Sequence, residues 1–454
     1  MPFAGLIAAA ILSAAPPFTA HPCSTELATA GARCGTVRVP ENRSRPRSRN
    51  IDLSVIIIPA SAERRLPPLF DLEGGPGLAD TRNAGFYLTD GAPYHAHRDV
   101  VLFDQRGTGA SNGLKCPELD AADAAYQPIY PVAAVRRCRA ELEKHADLRH
   151  YGTSDAVADL DAVRAALGYD RIDLVAQSYG TTLSLRYMAA YPKTVRAAVL
   201  VSVAPPSAMV PRYHAEGAER ALTALLQQCR SDPACGKAGD PASKLEPALL
   251  SLAKIKDAPP RDVFTEKLRS LMYAPGPARR LPFIVRAAAQ GNLKPFFEAT
   301  KPGGPSPWYL GTYLSITCAE GMAQFGYAAA AAKARRTRFG DYRLRRQRDA
   351  CANWPIAKVS RDFLRLPRTE AAVLMISGGL DPVTPPAWAA QVARALPNGR
   401  QVTIAAMGHI FDGLSAVDTC FDPMLLRFYD SGDAKSVDAS CVAQMTAPPF
   451  KVEP

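Results

Sequence analysis

The 454-residue sequence contains no CxxC pair, has only seven histidines, and shows no internal repeat. Zinc ribbons and thioredoxin-like redox sites need closely spaced cysteines, so neither metal nor cofactor chemistry is expected. Beyond the first twenty residues no apolar run is long enough to cross a bilayer, which excludes a stable membrane span once a leader is removed. The net charge of +11 is dispersed, with short clusters only at "RSRPRSR" (Arg43 to Arg49) and "RLRRQR" (Arg343 to Arg348). No interleaved aromatic-basic motif accompanies them, so the charge reads as a solvated basic surface with no nucleic-acid partner. The sequence carries no signal of oligomeric state. At 47% hydrophobic and 21% charged, it has the composition of a globular chain with one large core and room for a second module.

What is present begins with "MPFAGLIAAAILSAAPPFTA", which holds no charged side chain and an apolar run from Phe3 to Ala15. That length suits a signal-peptide core, and residues 1–20 are read as a signal peptide of a secreted or periplasmic protein; a buried N-terminal strand or helix is the alternative. Ten cysteines fall in neighbouring couples: Cys23 with Cys34, Cys116 with Cys138, Cys229 with Cys235, Cys318 with Cys351, and Cys420 with Cys441. Disulfides in an oxidising compartment fit this usage. Connectivity does not follow from sequence, but local loops close with the least loss of chain entropy, which favours sequential pairing.

Apolar runs of strand length recur at Ile51 to Pro59, Pro68 to Gly75, Val100 to Gly107, Ile172 to Ser178, Arg196 to Val203, Ala371 to Gly379 and Gln401 to Gly408. Helical patterns such as "DAVADLDAVRAAL" (Asp155 to Leu167) lie between several of them. Runs buried on both faces and alternating with helices imply an α/β fold with a mostly parallel central sheet. Residues 205–366 break the rhythm with alanine- and leucine-rich helical segments, including "AERALTALLQQCR" and "AAAAAKARR", and read as an inserted helical cap. The core is thus expected in two parts, 21–204 and 367–454.

At the end of one strand-like run stands "AQSYG", Ala176 to Gly180, one residue away from G-x-S-x-G, in which a strained strand-to-helix turn lifts a serine hydroxyl clear of the sheet. A nucleophile at Ser178 needs a base and a carboxylate that orients it. Of the seven histidines, only His409 follows a C-terminal strand run, and Asp381 in "SGGLDPVTPP" lies just past another. Serine, acid, histidine is the chain order of α/β-hydrolases. Charge developing on the substrate oxygen requires an oxyanion hole, for which the backbone N–H groups of Gly74 and Gly75 in "EGGPG" and of Tyr179 after the nucleophile are the candidates.

"GGPG", "DQRGTGAS", "QSYGTT", "LSITCAEG", "CANWP", "SGGLDPVTPP" and "GHIFDG" occur in an order that resembles the tripeptidyl aminopeptidase and prolyl aminopeptidase group of α/β-hydrolases, with a C-terminal part similar to the tripeptidyl-aminopeptidase-like domain. The resemblance runs from about Cys34 to Cys441 and implies an exported serine exopeptidase whose helical cap admits peptide ends, with disulfides at several of the couples. Ala176 in place of the first elbow glycine, and Glu73 where many prolyl aminopeptidases have histidine, depart from that pattern. A carboxylesterase acting on small esters would use the same triad, and a noncatalytic binding protein could share the scaffold. An aminopeptidase must also replace the hydration of a free ammonium with a carboxylate, and Glu320 in "TCAEG", then Glu73, are the candidates for that contact. The partner is in either case a peptide or another small molecule.

Overall fold

The computed structural model describes residues 16–45 and 47–453. Apolar runs with no room for a polar side become the middle of a sheet, because a strand there has no solvent-facing side. The strands are β1 (Phe18–His21), β2 (Arg33–Pro40), β3 (Asn50–Ile58), β4 (Leu69–Leu72), β5 (Val100–Phe103), β6 (Ile172–Gln177), β7 (Val195–Val201), β8 (Ala372–Gly378) and β9 (Gly399–Ile404), in the spatial order β1-β2-β3-β5-β4-β6-β7-β8-β9. Strands β1, β2, β3 and β5 pair antiparallel, and from β5 across to β9 every pairing is parallel.

All seven apolar runs of the sequence are strands. The two others lack that signal, since β2 alternates toward solvent and β1 is short and mostly exposed. Phe18 to Ala20, which the leader reading assigns to a removed segment, pair here with Val37 to Gly35, so a cut after residue 20 and this strand do not agree. The apolar run Phe3 to Ala15 lies outside the described residues.

Helices α1 (Thr153–Ala166) and α2 (Tyr179–Ala190) bury Leu160, Val163, Leu183 and Leu185 against Phe70 and Leu174 on one face of the sheet. The other face collects Leu102, Val199, Leu374 and Ile376 with Phe428 and Tyr429. Each such side chain contributes roughly 1.5–3 kcal/mol, so the sheet is held from both sides.

Between β7 and β8 the chain runs through helices that include α3 (His214–Ser231), α4 (Arg261–Leu271), α5 (Leu281–Ala289), α6 (Leu310–Ile316) and α7 (Tyr342–Cys351). Leu222, Leu226, Phe264, Leu268, Leu281 and Phe296 give this segment a cluster of its own. After α6 a π-helical turn covers Thr317–Gly321, a local widening often found at functional sites. The cysteines are joined in sequence order, with Cα–Cα distances of 5.2, 5.4, 5.1, 5.2 and 5.8 Å.

Candidate active site

Strand β6 ends at Gln177 and α2 begins at Tyr179, so Ser178 alone makes the turn. Its backbone sits at φ 56° and ψ −120°, a conformation that costs a non-glycine residue about 1–3 kcal/mol and lifts the side chain off the sheet. An N–H bond from Ser178 to the Val201 carbonyl at 3.0 Å holds it there. Ala176 is buried between Leu72 of β4 and Leu200 of β7, where the extra methyl joins the core.

Parallel strands deliver their C-terminal ends to one edge of the sheet, and the loops after β8 and β9 bring Asp381 and His409 to that edge beside Ser178. His409 Nε2 lies 2.9 Å from Ser178 Oγ, and Nδ1 lies 2.9 Å from Asp381 Oδ2. Asp381 is fully buried and can only accept, so Nδ1 carries the hydrogen and Nε2 is left to accept from the serine hydroxyl. The backbone N–H groups of Val383 and Thr384 donate to Asp381 Oδ1 at 2.7 and 2.8 Å, and Thr384 Oγ1 donates to Oδ2 at 2.5 Å. Thr384 Oγ1 is also 3.1 Å from His409 Nδ1, so one hydroxyl braces both partners. Sequence reasoning passes over Thr384; the Asp381 turn is a readable Asx turn, bonded to Val383 N, but no sequence signal marks the Thr384 hydroxyl.

The helical segment reaches the same residues. The Tyr273 carbonyl, just past the end of α4, accepts the N–H groups of His409 and Ile410 at 2.7 and 2.9 Å, and the Tyr273 ring meets the imidazole edge-on at 5.0 Å. Gly408 permits that approach, since a Cβ there would lie 2.5 Å from the Tyr273 carbonyl oxygen. Arg220 of α3 donates to the carbonyls of Gly379 and Asp381. From the sheet side, Ser202 Oγ donates to the His409 carbonyl at 2.6 Å.

The three proposed oxyanion donors separate on inspection. Gly74 N–H turns to the Glu73 carboxylate at 3.1 Å, while among the described residues no backbone acceptor engages the N–H of Gly75 or Tyr179. Gly75 holds φ 112°, which glycine alone adopts without strain, and a Cβ there would press within 3.1 Å of the Trp308 ring. Gly75 and Tyr179 are therefore the free pair, with Gly74 backing Ser178 as part of the wall.

These residues line a cavity of about 1360 Å³ that extends under the helical segment. Its wall carries six carboxylates, Glu73, Glu118, Asp120, Glu266, Glu320 and Asp412, against four cationic side chains, the reverse of the protein's overall balance. Glu320 accepts from Thr153 N at 2.6 Å and Thr153 Oγ1 at 2.5 Å, and that hydroxyl takes the Tyr179 OH at 2.8 Å. Burial raises the Glu320 carboxyl to about 7, against the lowering effect of the Thr153 bonds. Glu73 accepts from Asn83 Nδ2 at 3.0 Å as well as from Gly74. Among the described residues no group of three or more His, Cys, Asp or Glu side chains is arranged to hold a metal ion.

A strained serine at a strand-to-helix turn, a histidine and a buried aspartate, each on its own strand end, can together move a proton and form an acyl intermediate; the fold and site define the class of α/β hydrolases. Residues 67–234 match the family described as the alpha/beta hydrolase fold, and residues 335–441 match the TAP-like protein family, the second match beginning inside the helical segment. The chain has the α/β-hydrolase fold, and its C-terminal part matches the TAP-like family. It is 30% identical to serine protease Hip1 of Mycobacterium tuberculosis over 48% of this chain and 45% of that protein. It is 31% identical to tripeptidyl aminopeptidase of Streptomyces coelicolor over 38% of this chain and 36% of that protein, so both matches span under half of the relative. With carboxylesterase B of Mycobacterium tuberculosis it shares 26% identity over 90% of this chain and 86% of that protein.

Proposed function

We propose that this hydrolase is an exported serine exopeptidase that removes residues from the free N-terminus of peptides, with Ser178 as nucleophile, His409 as the proton carrier and Asp381 as its orienting acid. The observation that carries this reading is the cavity: the Ser178–His409–Asp381 chain opens into about 1360 Å³, above the roughly 300–1,000 Å³ of small-ligand sites, with a wall rich in carboxylates. Such a wall favours a substrate with a cationic end, and a peptide with a free ammonium is one. Ser178 attacks the scissile carbonyl, its proton passes to His409 Nε2, and the oxyanion is met by the N–H groups of Gly75 and Tyr179. His409 then gives the proton to the leaving amine, and water hydrolyses the acyl-enzyme by the same route. Glu320 holds the substrate ammonium, with Glu73 as the second acid within the same wall. Five disulfides support passage through an oxidising compartment, with residues 205–366 acting as the cap.

The second reading is a carboxylesterase, favoured by the near end-to-end likeness to a relative of that name. A panel of aminoacyl and tripeptidyl amides against short-chain esters tests both. Faster turnover of free-amine peptide amides than of their acetylated forms is expected, and turnover confined to esters would overturn the peptidase reading.

A further inference from the structure

Glu266 of α4 is shared by two guanidiniums. Arg269 Nη2 and Nε donate to its two oxygens at 2.6 and 3.1 Å, and Arg343 of α7 donates through Nη1 at 2.8 Å. The remaining bonds of this pair go to uncharged groups: Arg269 Nη1 to the Tyr273 hydroxyl at 2.9 Å, and Arg343 Nη2 to the hydroxyls of Tyr313 and Tyr130 at 2.8 and 3.3 Å. Arg343 Nε is buried and finds no partner, and among the described residues neither arginine has a second carboxylate within ion-pair distance. The Arg269 and Arg343 side chains are 5% and 17% exposed, so one positive charge stands uncompensated in the cavity wall. A charge removed from water without a counter-charge is costly, and the planar fork of arginine is matched by a carboxylate.

The position of the pair decides what that carboxylate belongs to. Glu73 adjoins the oxyanion glycines and Glu320 reaches Tyr179 through Thr153, whereas Arg269 reaches His409 through Tyr273. His214, which also lines the cavity, is pushed well below its ordinary range by burial and then by the charges of Arg269 and Arg343. In acyl transfer the acyl part lies with the oxyanion donors and the leaving amine with the base.

We infer that Arg269 and Arg343 form a subsite for a carboxylate on the leaving portion of the substrate, either the free C-terminus of a short peptide or an acidic side chain close to the scissile bond. The inference rests on the aminopeptidase reading and adds to it a preference for short or acidic leaving segments. Glu266 sets the spacing of the two guanidiniums and neutralises one of them.

The test uses the full chain and three peptides: tetra-alanine as the free acid, its C-terminal amide, and that amide with aspartate as the last residue. The free acid is expected to exceed the neutral amide in kcat/KM by about tenfold, and in Arg343→Gln that ratio should fall toward one. Recovery by the aspartyl amide assigns the subsite to a side chain, and its absence assigns it to the C-terminus. Should Arg343→Gln not fold, Arg343→Lys keeps the charge without the fork and should lower the ratio in part. Equal kcat/KM for all three peptides in the unaltered protein overturns the subsite and leaves the aminopeptidase reading standing. If no peptide is cleaved while Ser178 still reacts with a fluorophosphonate, the aminopeptidase reading falls and takes the subsite with it.

Discussion

The carbonyl oxygen of Tyr273 accepts the amide hydrogen of His409 at 2.7 Å, which ties the candidate base to the turn that follows α4, outside the sheet. Gly408→Ala would set a methyl 2.5 Å from that oxygen, and the resulting shift should cost about 1–3 kcal/mol of stability. Displacing an imidazole by a fraction of an ångström from its partners is expected to slow turnover by about tenfold or more. Fluorophosphonate labelling should slow in parallel; full activity at unchanged stability would show that the Tyr273 contact does not position His409.

Ser178→Ala should abolish labelling and turnover while leaving the circular dichroism spectrum intact. Asp381→Asn replaces an acceptor with a group that can donate to Nδ1, so His409 loses its tautomer and turnover should drop by about 10⁴. Labelling that survives in Ser178→Ala would remove the serine from this role.

Thr384 braces acid and base together, and hydrogen bonds to charged groups are worth about 1.5–3 kcal/mol. Thr384→Val is therefore expected to lower kcat by about tenfold or more, with Thr384→Ser restoring most of it. A packing role alone would reverse that order, since valine keeps the shape and serine does not.

Glu320→Gln keeps the side-chain shape without the charge. It should lower kcat/KM for free-amine peptides by about tenfold and spare acetylated substrates and esters; equal losses on both would exclude amine binding. The same variant reports on stability. With the folded carboxyl at about 7 against an ordinary 4.5, the folded state holds more protons between those values, so stability declines as pH rises through that window. The whole effect is of order 3 kcal/mol. Glutamine does not titrate, so the Tm difference in favour of the variant should widen from pH 5 to pH 8; a constant difference contradicts the burial effect.

Mass spectrometry of unreduced peptides should recover Cys318 linked to Cys351 and Cys420 linked to Cys441. Ten free thiols in protein taken from an oxidising compartment would refute the export argument.

The sheet is legible where burial is two-sided, because runs such as Val100 to Phe103 and Ala372 to Gly378 have no other plausible use. Strand β2 is not, since its alternation competes with loop patterns, and β1 hides in a leader-like stretch. Ser178 stands out as a candidate because it directly follows a strand, and Asp381 and His409 because each lies in the loop just past a strand end, where local pattern and chain order meet. The direction of the Gly74 N–H is invisible beforehand, because it depends on a backbone rotation and not on residue type. Glu266 and Arg343, 77 residues apart, converge only through the packing of separate helices, and no local period announces such a pair.

Ser178, the proposed nucleophile, lines a cavity of about 1360 Å³ beneath the helical segment, so the shape of that space joins chemistry in deciding what reaches it. On the exopeptidase reading, what enters is the free end of a peptide. By the same reading, such a protein works downstream of other proteases on segments they have released, and its own folded copies are not substrates.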